Sequence, residues 1–326
     1  MLIIHMSDLH FGDYIDKPTF GIRCHDFKIL AALSNFITKQ TFDRIFITGD
    51  VVTGGNANAF QHARDFFYGR INTPGMIIGL NLQEDSDVIL AVPGNHDYYP
   101  SRIFPIISGV SGYNKYFPTC TTPYVKFVWK NMLKATVFGL DSSKGAKGSI
   151  ANGKISQKEL DWLAQTCDEL GQGRHPNSPY SEQDYKDSFK IVLLHHHLYL
   201  PKGQKYSLFR KIKNRKEILK TFLKCDIDMI FFGHEHYHFA KYPEYRCQLD
   251  KRISRKLARD GYNVKKRLFA CMASTAAQAE AEDNSLWELN LSNSSITCQR
   301  HYFDNGRFVP SAETINLNLV RTSCKP

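Results

Sequence analysis

The chain has no C-x-x-C pair among its eight cysteines, no internal repeat and no low-complexity tract. Its longest apolar runs, such as residues 88–92, fall far short of the ~18 residues that cross a bilayer. Glycine (21) and proline (13) are too few for a collagen-like or linker-like chain. Met1-Leu2-Ile3-Ile4 lacks the basic flank of a secretory signal, and charge begins at Asp8. Without that signal the cysteines read as free, mostly buried thiols, Cys271 within Leu268-Phe269-Ala270-Cys271-Met272 among them. The expected location is a reducing cytoplasm.

What is present is an ordinary globular composition, 42% hydrophobic and 23% charged over 326 residues. That length suits two domains or one large α/β domain. The net charge of +10 is unevenly spread. Residues 202–220 hold eight Lys/Arg against Glu217, and residues 241–267 hold ten against Glu244, Asp250 and Asp260. Each segment is therefore +7, and the rest of the chain is −4. Such runs are usually solvated faces, but they also attract anionic substrates, nucleic acid or anionic membranes.

Short β-rich runs alternate with helical patterns, as in an α/β chain. Strands are expected at residues 2–6, 44–48, 88–92, 136–140, 191–194 and 229–232, and in series from 268 to 303 with polar turns at 282–285 and 292–295. Helices are expected over 26–39, 58–70 and 216–224, and from Ser156, where Ser156 and Glu159 form a capping box. Residues 99–123 and 171–188 lack a regular pattern and read as long loops.

Five of these strands end in chemistry-bearing side chains. In order they are Ser7-Asp8-Leu9-His10, Gly49-Asp50, Gly94-Asn95-His96-Asp97, His195-His196-His197 and Gly233-His234-Glu235-His236. Ligand sites of α/β sheets gather at the carboxyl ends of strands, so these groups can share one rim. Oxygen from Asp and Asn with nitrogen from His suits borderline transition ions better than calcium or magnesium. Two His and two Asp would satisfy one ion. A shared carboxylate would bridge to a second, held by further His and an Asn carbonyl. Two ions about 3.5–4 Å apart clamp an in-line displacement at phosphorus. Residues i and i+2 of an extended strand end project together, which would place Asp8 beside His10 and His234 beside His236. Three consecutive histidines cannot all point one way, which leaves His195 and His196 as alternatives.

This ordered set resembles the signature of the calcineurin-like metallophosphoesterases, over roughly residues 1–240. The resemblance implies a four-layer αββα sandwich of two mixed β-sheets, in one domain over 1–326 with a basic insertion at about 238–267. It implies two divalent metal ions (Mn, Fe, Zn or Co). Asp8, His10, Asp50 and His236 would hold one; Asp50 would bridge to the other, held by Asn95, His195 and His234. His96 would face the scissile phosphate as charge stabiliser or general acid, with Asp97 orienting it. The implied activity is phosphodiester hydrolysis by a metal-bound hydroxide, on a cyclic nucleotide or similar small diester. Ser7-Asp8-Leu9-His10-Phe11-Gly12, the Lys147-Gly148 loop and the Gln157 to Trp162-Leu163 helix are most similar to the class III cyclic-nucleotide phosphodiesterases.

Both basic segments leave the sequence just after rim residues, with interleaved aromatics such as Tyr206, Phe209, Tyr237 and Tyr242. They admit a nuclease or a nucleotide or polyphosphate phosphohydrolase on the same site. A non-catalytic scaffold that binds nucleic acid or protein is the reading from another class. The remaining rim neighbours read as a turn (Asp141-Ser142-Ser143), an exposed loop residue (His238) and a pocket wall or loop packing (Tyr98, Tyr99).

Overall fold

Helix starts follow local chemistry. Asp26 accepts from Lys28 N (2.6 Å) and opens α1, Phe27–Ile37. Asn56 accepts from Ala59 N (2.8 Å) and opens α2, Ala57–Tyr68. Around these run β1 (Leu2–Met6), β2 (Arg44–Thr48), the β3/β4 hairpin (Ile71–Thr73, Met76–Ile78) and β5 (Ile89–Val92). Then come α3 (Val110–Tyr116), β6 (Tyr124–Lys130) and β7 (Leu133–Gly139). The Ser156–Glu159 capping box forms as expected and opens α4, Gln157–Gly171. The rest is α5 (Glu182–Asp187), β8 (Phe189–Leu193), α6 (Arg215–Lys224), β9 (Met229–Phe232), β10 (Phe239–Lys241), α7 (Lys251–Arg259), β11 (Phe269–Met272), β12 (Ser285–Leu291), β13 (Ser295–Asp304) and β14 (Arg307–Asn318). This computed structural model describes residues 1–12, 25–73, 76–98, 110–144, 152–198, 212–245, 251–279, 281 and 283–319.

Two six-stranded mixed sheets face each other. The first runs β14-β13-β12-β1-β2-β5 and the second β10-β11-β9-β8-β7-β6. β1, β2 and β5 are parallel, as are β7, β8, β9 and β11, so each sheet gathers its central carboxyl ends at one edge. Between the sheets, Phe46 packs edge-on to Phe231 (centroids 5.2 Å), and His5 reaches Cys271 Sγ at 3.5 Å. The outer face of the second sheet presents Val192, Ile230 and Phe232 to Leu160, Leu163, Leu219 and Phe222 of α4 and α6. Because β8 and β9 are covered on both faces, they read as apolar runs, interrupted in β8 only by the buried Lys190. Each such side chain contributes about 1.5–3 kcal/mol on burial. The four layers are helix, sheet, sheet, helix, as expected.

Where the structure departs from the sequence pattern, exposure is the reason. β6 has only one buried face, and β14 is a mostly exposed edge strand, so neither shows a clear apolar run. Residues 110–116 and 182–187 are helical within stretches expected to be loops; both helices are short. α7 lies inside the second basic segment, its apolar content reduced to Ile253, Leu257 and Ala258.

The basic insertion also goes elsewhere than expected. β10 starts at the rim, with Phe239 opposite Met272, and runs away from it to Lys241 opposite Ala270. Tyr245 then donates its hydroxyl to Ile227 O (3.0 Å), at the amino end of β9. Lys266 is buried and pairs with Asp226 (2.6 Å) and Asp228 (2.7 Å) at that same end. α7 therefore leaves and rejoins the sheet at the end opposite the rim. Residues 202–211 and 246–250, with Tyr206 and Phe209, lie outside the described residues, as do Tyr99, Lys147-Gly148, Cys24, Cys247 and Cys324. Cys120, Cys167, Cys225, Cys271 and Cys298 are free and buried. Among the described residues no helix is long and apolar enough to cross a membrane.

Candidate metal centre

The strand ends turn sharply at the rim. Asp8 (φ 52°), His10 (50°), Asp50 (49°), His234 (80°) and His236 (52°) all take left-handed backbone. Asp and His tolerate this region better than most residues, at a cost of about 1–2 kcal/mol each. Asp8 and His10 thus meet through two left-handed residues rather than by strand alternation. His234 and His236 do not stay on one side as an extended turn would place them. At Gly94 the backbone passes so close to Asp50 that a Cβ would overlap the Asp50 carboxylate.

The result is two adjoining groups. Asp8, His10 and His236 form one; Asp50, His195 and His234 form the other; the ligating atoms within each lie within 4.8 Å of one another. In the first, Asp8 Oδ1 is 3.4 Å from His236 Nε2 and 4.0 Å from His10 Nε2. In the second, His195 Nε2 is 3.3 Å from Asp50 Oδ2, 3.1 Å from His234 Nδ1 and 3.1 Å from Asn95 Oδ1. His195 is the histidine of the triple run that enters the cluster. His196 turns to Ser142 Oγ (2.9 Å), and His197 lies 3.9 Å from Glu235.

Electrostatics show what the cluster needs. His195 Nδ1 is 2.8 Å from Thr48 O, which can only accept, so Nδ1 carries the proton. In neutral His195, Nε2 is then a lone pair facing the oxygens of Asp50 and Asn95. Only a proton or a cation resolves that convergence. Burial opposes a charge on His195, but Asp50 more than offsets it and raises the imidazole to about 9. Burial also opposes the Asp8 and Asp50 charges, yet both stay below the usual carboxylate range, Asp8 mainly through His236 and Asp50 through His195 and His96. Burial, with His96 nearby, lowers His10 to about 3. Both His10 ring nitrogens and Asp8 Oδ1 are buried without a hydrogen bond, which costs roughly 1–3 kcal/mol per group when nothing else satisfies it. Bonds of ~2.0–2.2 Å from N and O to a transition ion put ligand atoms roughly 3–3.5 Å apart. The 3.1–3.4 Å spacings around His195 and between Asp8 and His236 match that, so the residues fit the two divalent ions.

His96 sits beside both groups. Its backbone N–H donates to Asp50 Oδ1 (2.8 Å), and its ring Nδ1 meets Thr53 O (2.9 Å), leaving Nε2 4.0 Å from Asp50 Oδ2. Its side chain is 17% exposed, against 3% for Asp50. Asp97 does not orient this ring directly, and that expectation is corrected. Its buried carboxylate accepts from the backbone N–H of Val51 (3.3 Å), Val52 (2.9 Å) and Gly94 (2.8 Å). Asp97 clamps together the loops that carry Asp50, Thr53 and His96, and acts on the ring at one remove. Burial and Asp50 raise it to about 7.

Other neighbours escaped the sequence pattern. Thr275 Oγ1 donates to Asp8 O (2.6 Å) and Ser274 Oγ to His236 O (2.7 Å), both just after β11. Neither carries the carboxylate, imidazole or amide that marks the other five strand ends. Asp141 is buried and accepts from Ser143 N (2.8 Å), Lys144 N (3.0 Å) and the Tyr98 hydroxyl. Tyr98 is thus packed inward. His238 pairs with Asp283 (2.8 Å).

A dimetal phosphatase from Danio rerio shares this fold, with a TM-score of 0.51 at 11% identity over 98% of this chain and 99% of that one. Vacuolar Protein Sorting 29 from Cryptosporidium parvum aligns at 11% identity over 97% of each chain with a TM-score of 0.41. A predicted phosphoesterase from Streptococcus pneumoniae TIGR4 aligns at 10% over 97% of each with a TM-score of 0.36. Comparison with curated proteins gives no match. The model of the calcineurin-like phosphoesterase family matches residues 1–238, which carry both candidate ligand groups and His96, and the chain belongs to that family.

Proposed function

We propose that this phosphoesterase hydrolyses a phosphodiester, a cyclic nucleotide or similar small diester, at a two-metal centre. Asp8, His10, Asp50 and His236 hold one divalent ion; Asp50, Asn95, His195 and His234 hold the other. The observation that carries this reading is the convergence on His195 Nε2 of Asp50, Asn95 and His234 within 3.3 Å. When bound, the ions supply charge neutralisation at phosphorus and a water activated near neutral pH.

The chain's own residues do the rest. Thr48 and Thr53 carbonyls fix the tautomers of His195 and His96. With Nδ1–H given to Thr53 O, neutral His96 presents Nε2 as a lone pair, and in its doubly protonated form Nε2 donates toward a leaving oxygen. Its side chain is partly exposed, as is that of His236, so substrate reaches the centre from this side. The nuclease reading loses support from residues 251–267, which lie at the far end of the sheet.

The test is manganese-dependent hydrolysis of bis-p-nitrophenyl phosphate beside p-nitrophenyl phosphate, with Asp50→Asn as control. Diester turnover lost in the variant supports the proposal. Turnover of the monoester alone overturns the diester assignment. No turnover with manganese, iron, cobalt or zinc, despite bound metal, overturns catalysis itself.

A further inference from the structure

The helix at the far end of the second sheet carries charge that folding does not need. α7 reads Lys-Arg-Ile-Ser-Arg-Lys-Leu-Ala-Arg, without an acid. Leu257 is buried and Ile253 packs on the same core, so the apolar side is committed inward. Lys251, Arg252, Arg255, Lys256 and Arg259 are exposed. Lys251/Arg255, Arg252/Lys256 and Arg255/Arg259 are like-charge pairs at i,i+4, each of which destabilises the helix. Among the described residues, Lys251, Arg255, Lys256 and Arg259 make no ion pair.

This face is firmly mounted. Tyr245 before it and Lys266 after it are both buried and bonded to the 226–228 segment. From Arg252 to Arg259 the helix rises roughly 10.5 Å. At one charge per about 1.7 Å, a DNA duplex presents roughly six phosphates over that length.

We propose that α7 is a docking face for the phosphate backbone of a nucleic acid, separate from the metal centre. An anionic membrane fits less well. A helix lying on lipid buries its apolar side among acyl chains, and here that side is inside the protein. Contacts confined to phosphates position the protein without reading sequence.

The test is fluorescence anisotropy of a short labelled DNA duplex, in chelator, across about 50 to 200 mM salt. Wild-type binding should weaken with salt with a log–log slope of about −3, each phosphate contact contributing about 0.9. The exposed double variant Arg255→Gln/Arg259→Gln should bind at least about tenfold more weakly with a slope shallower by about 1.8, while melting no lower than wild type and keeping its diester turnover. Asp50→Asn should bind as wild type does. Absent wild-type binding at the lowest salt, or unchanged binding by the double variant, overturns the proposal. So does loss of binding in Asp50→Asn, which would assign it to the metal centre. Sedimentation with phosphatidylserine vesicles by a protein that ignores the duplex overturns it in favour of a membrane.

Discussion

His195 Nδ1 lies 2.8 Å from the Thr48 carbonyl, and that one bond aims the ring's other nitrogen at Asp50. Asp50 is in turn the acceptor for the His96 backbone N–H. A change at Asp50 is therefore felt by a ligand and by the neighbouring imidazole together. In Asp50→Asn, bound metal measured by plasma mass spectrometry should fall well below two equivalents, and diester turnover should drop to background.

His96 should separate chemistry from metal binding. Its ring nitrogens belong to neither ligand group, one being taken by Thr53. His96→Ala should lower kcat by about 10²–10⁴, the usual range for a positioned acid or base, with metal content unchanged. Loss of the metals in that variant would contradict the role assigned here.

Gly94→Ala tests the close approach to Asp50. The added methyl overlaps the carboxylate in a place where only backbone fits. Circular dichroism should report a folded protein, while metal content and turnover fall as they do in Asp50→Asn. Wild-type metal content in a folded Gly94→Ala protein would count against a role for Asp50 as ligand.

The Lys266 cluster predicts an acid limit to stability. Burial opposes the Asp228 charge, but Lys266 and Lys190 more than offset it and hold its pKa below the ordinary value. A carboxylate lowered in the folded state stabilises fully above its unfolded pKa of about 3.9, and that contribution is lost as pH falls through the native value. Melting temperature should therefore drop below about pH 4. Lys266→Met leaves Asp228 without its nearest cation. It should cost about 3–5 kcal/mol at neutral pH and flatten the acid limb. An unchanged limb in a variant that still folds would show that other carboxylates set it.

The rim was legible in the sequence because its side chains follow apolar strands one by one. Asp8, Asp50, Asn95 and His234 each stand out by type and place, whereas His195 and His196 remain alternatives until the fold separates them. The bonds that aim them do not stand out. Thr48 and Thr53 act through carbonyls, which every residue has, and Asp97 acts on backbone N–H groups of Val51, Val52 and Gly94. Likewise β8 and β9 stood out as buried runs, while β6, β14 and α7, with one covered face or less, did not. The direction of β10 decides where the basic helix lies, and strand direction is a property of pairing, invisible to composition.

The five left-handed residues of the rim place chemistry and folding in opposition. Asp8, His10, Asp50, His234 and His236 each hold a backbone shape that glycine adopts freely. Glycine at any of them would relieve about 1 kcal/mol of backbone strain and remove a candidate ligand in the same step. The backbone shape at these five positions therefore does not itself call for Asp or His; each side chain is held there against a preference that glycine would satisfy.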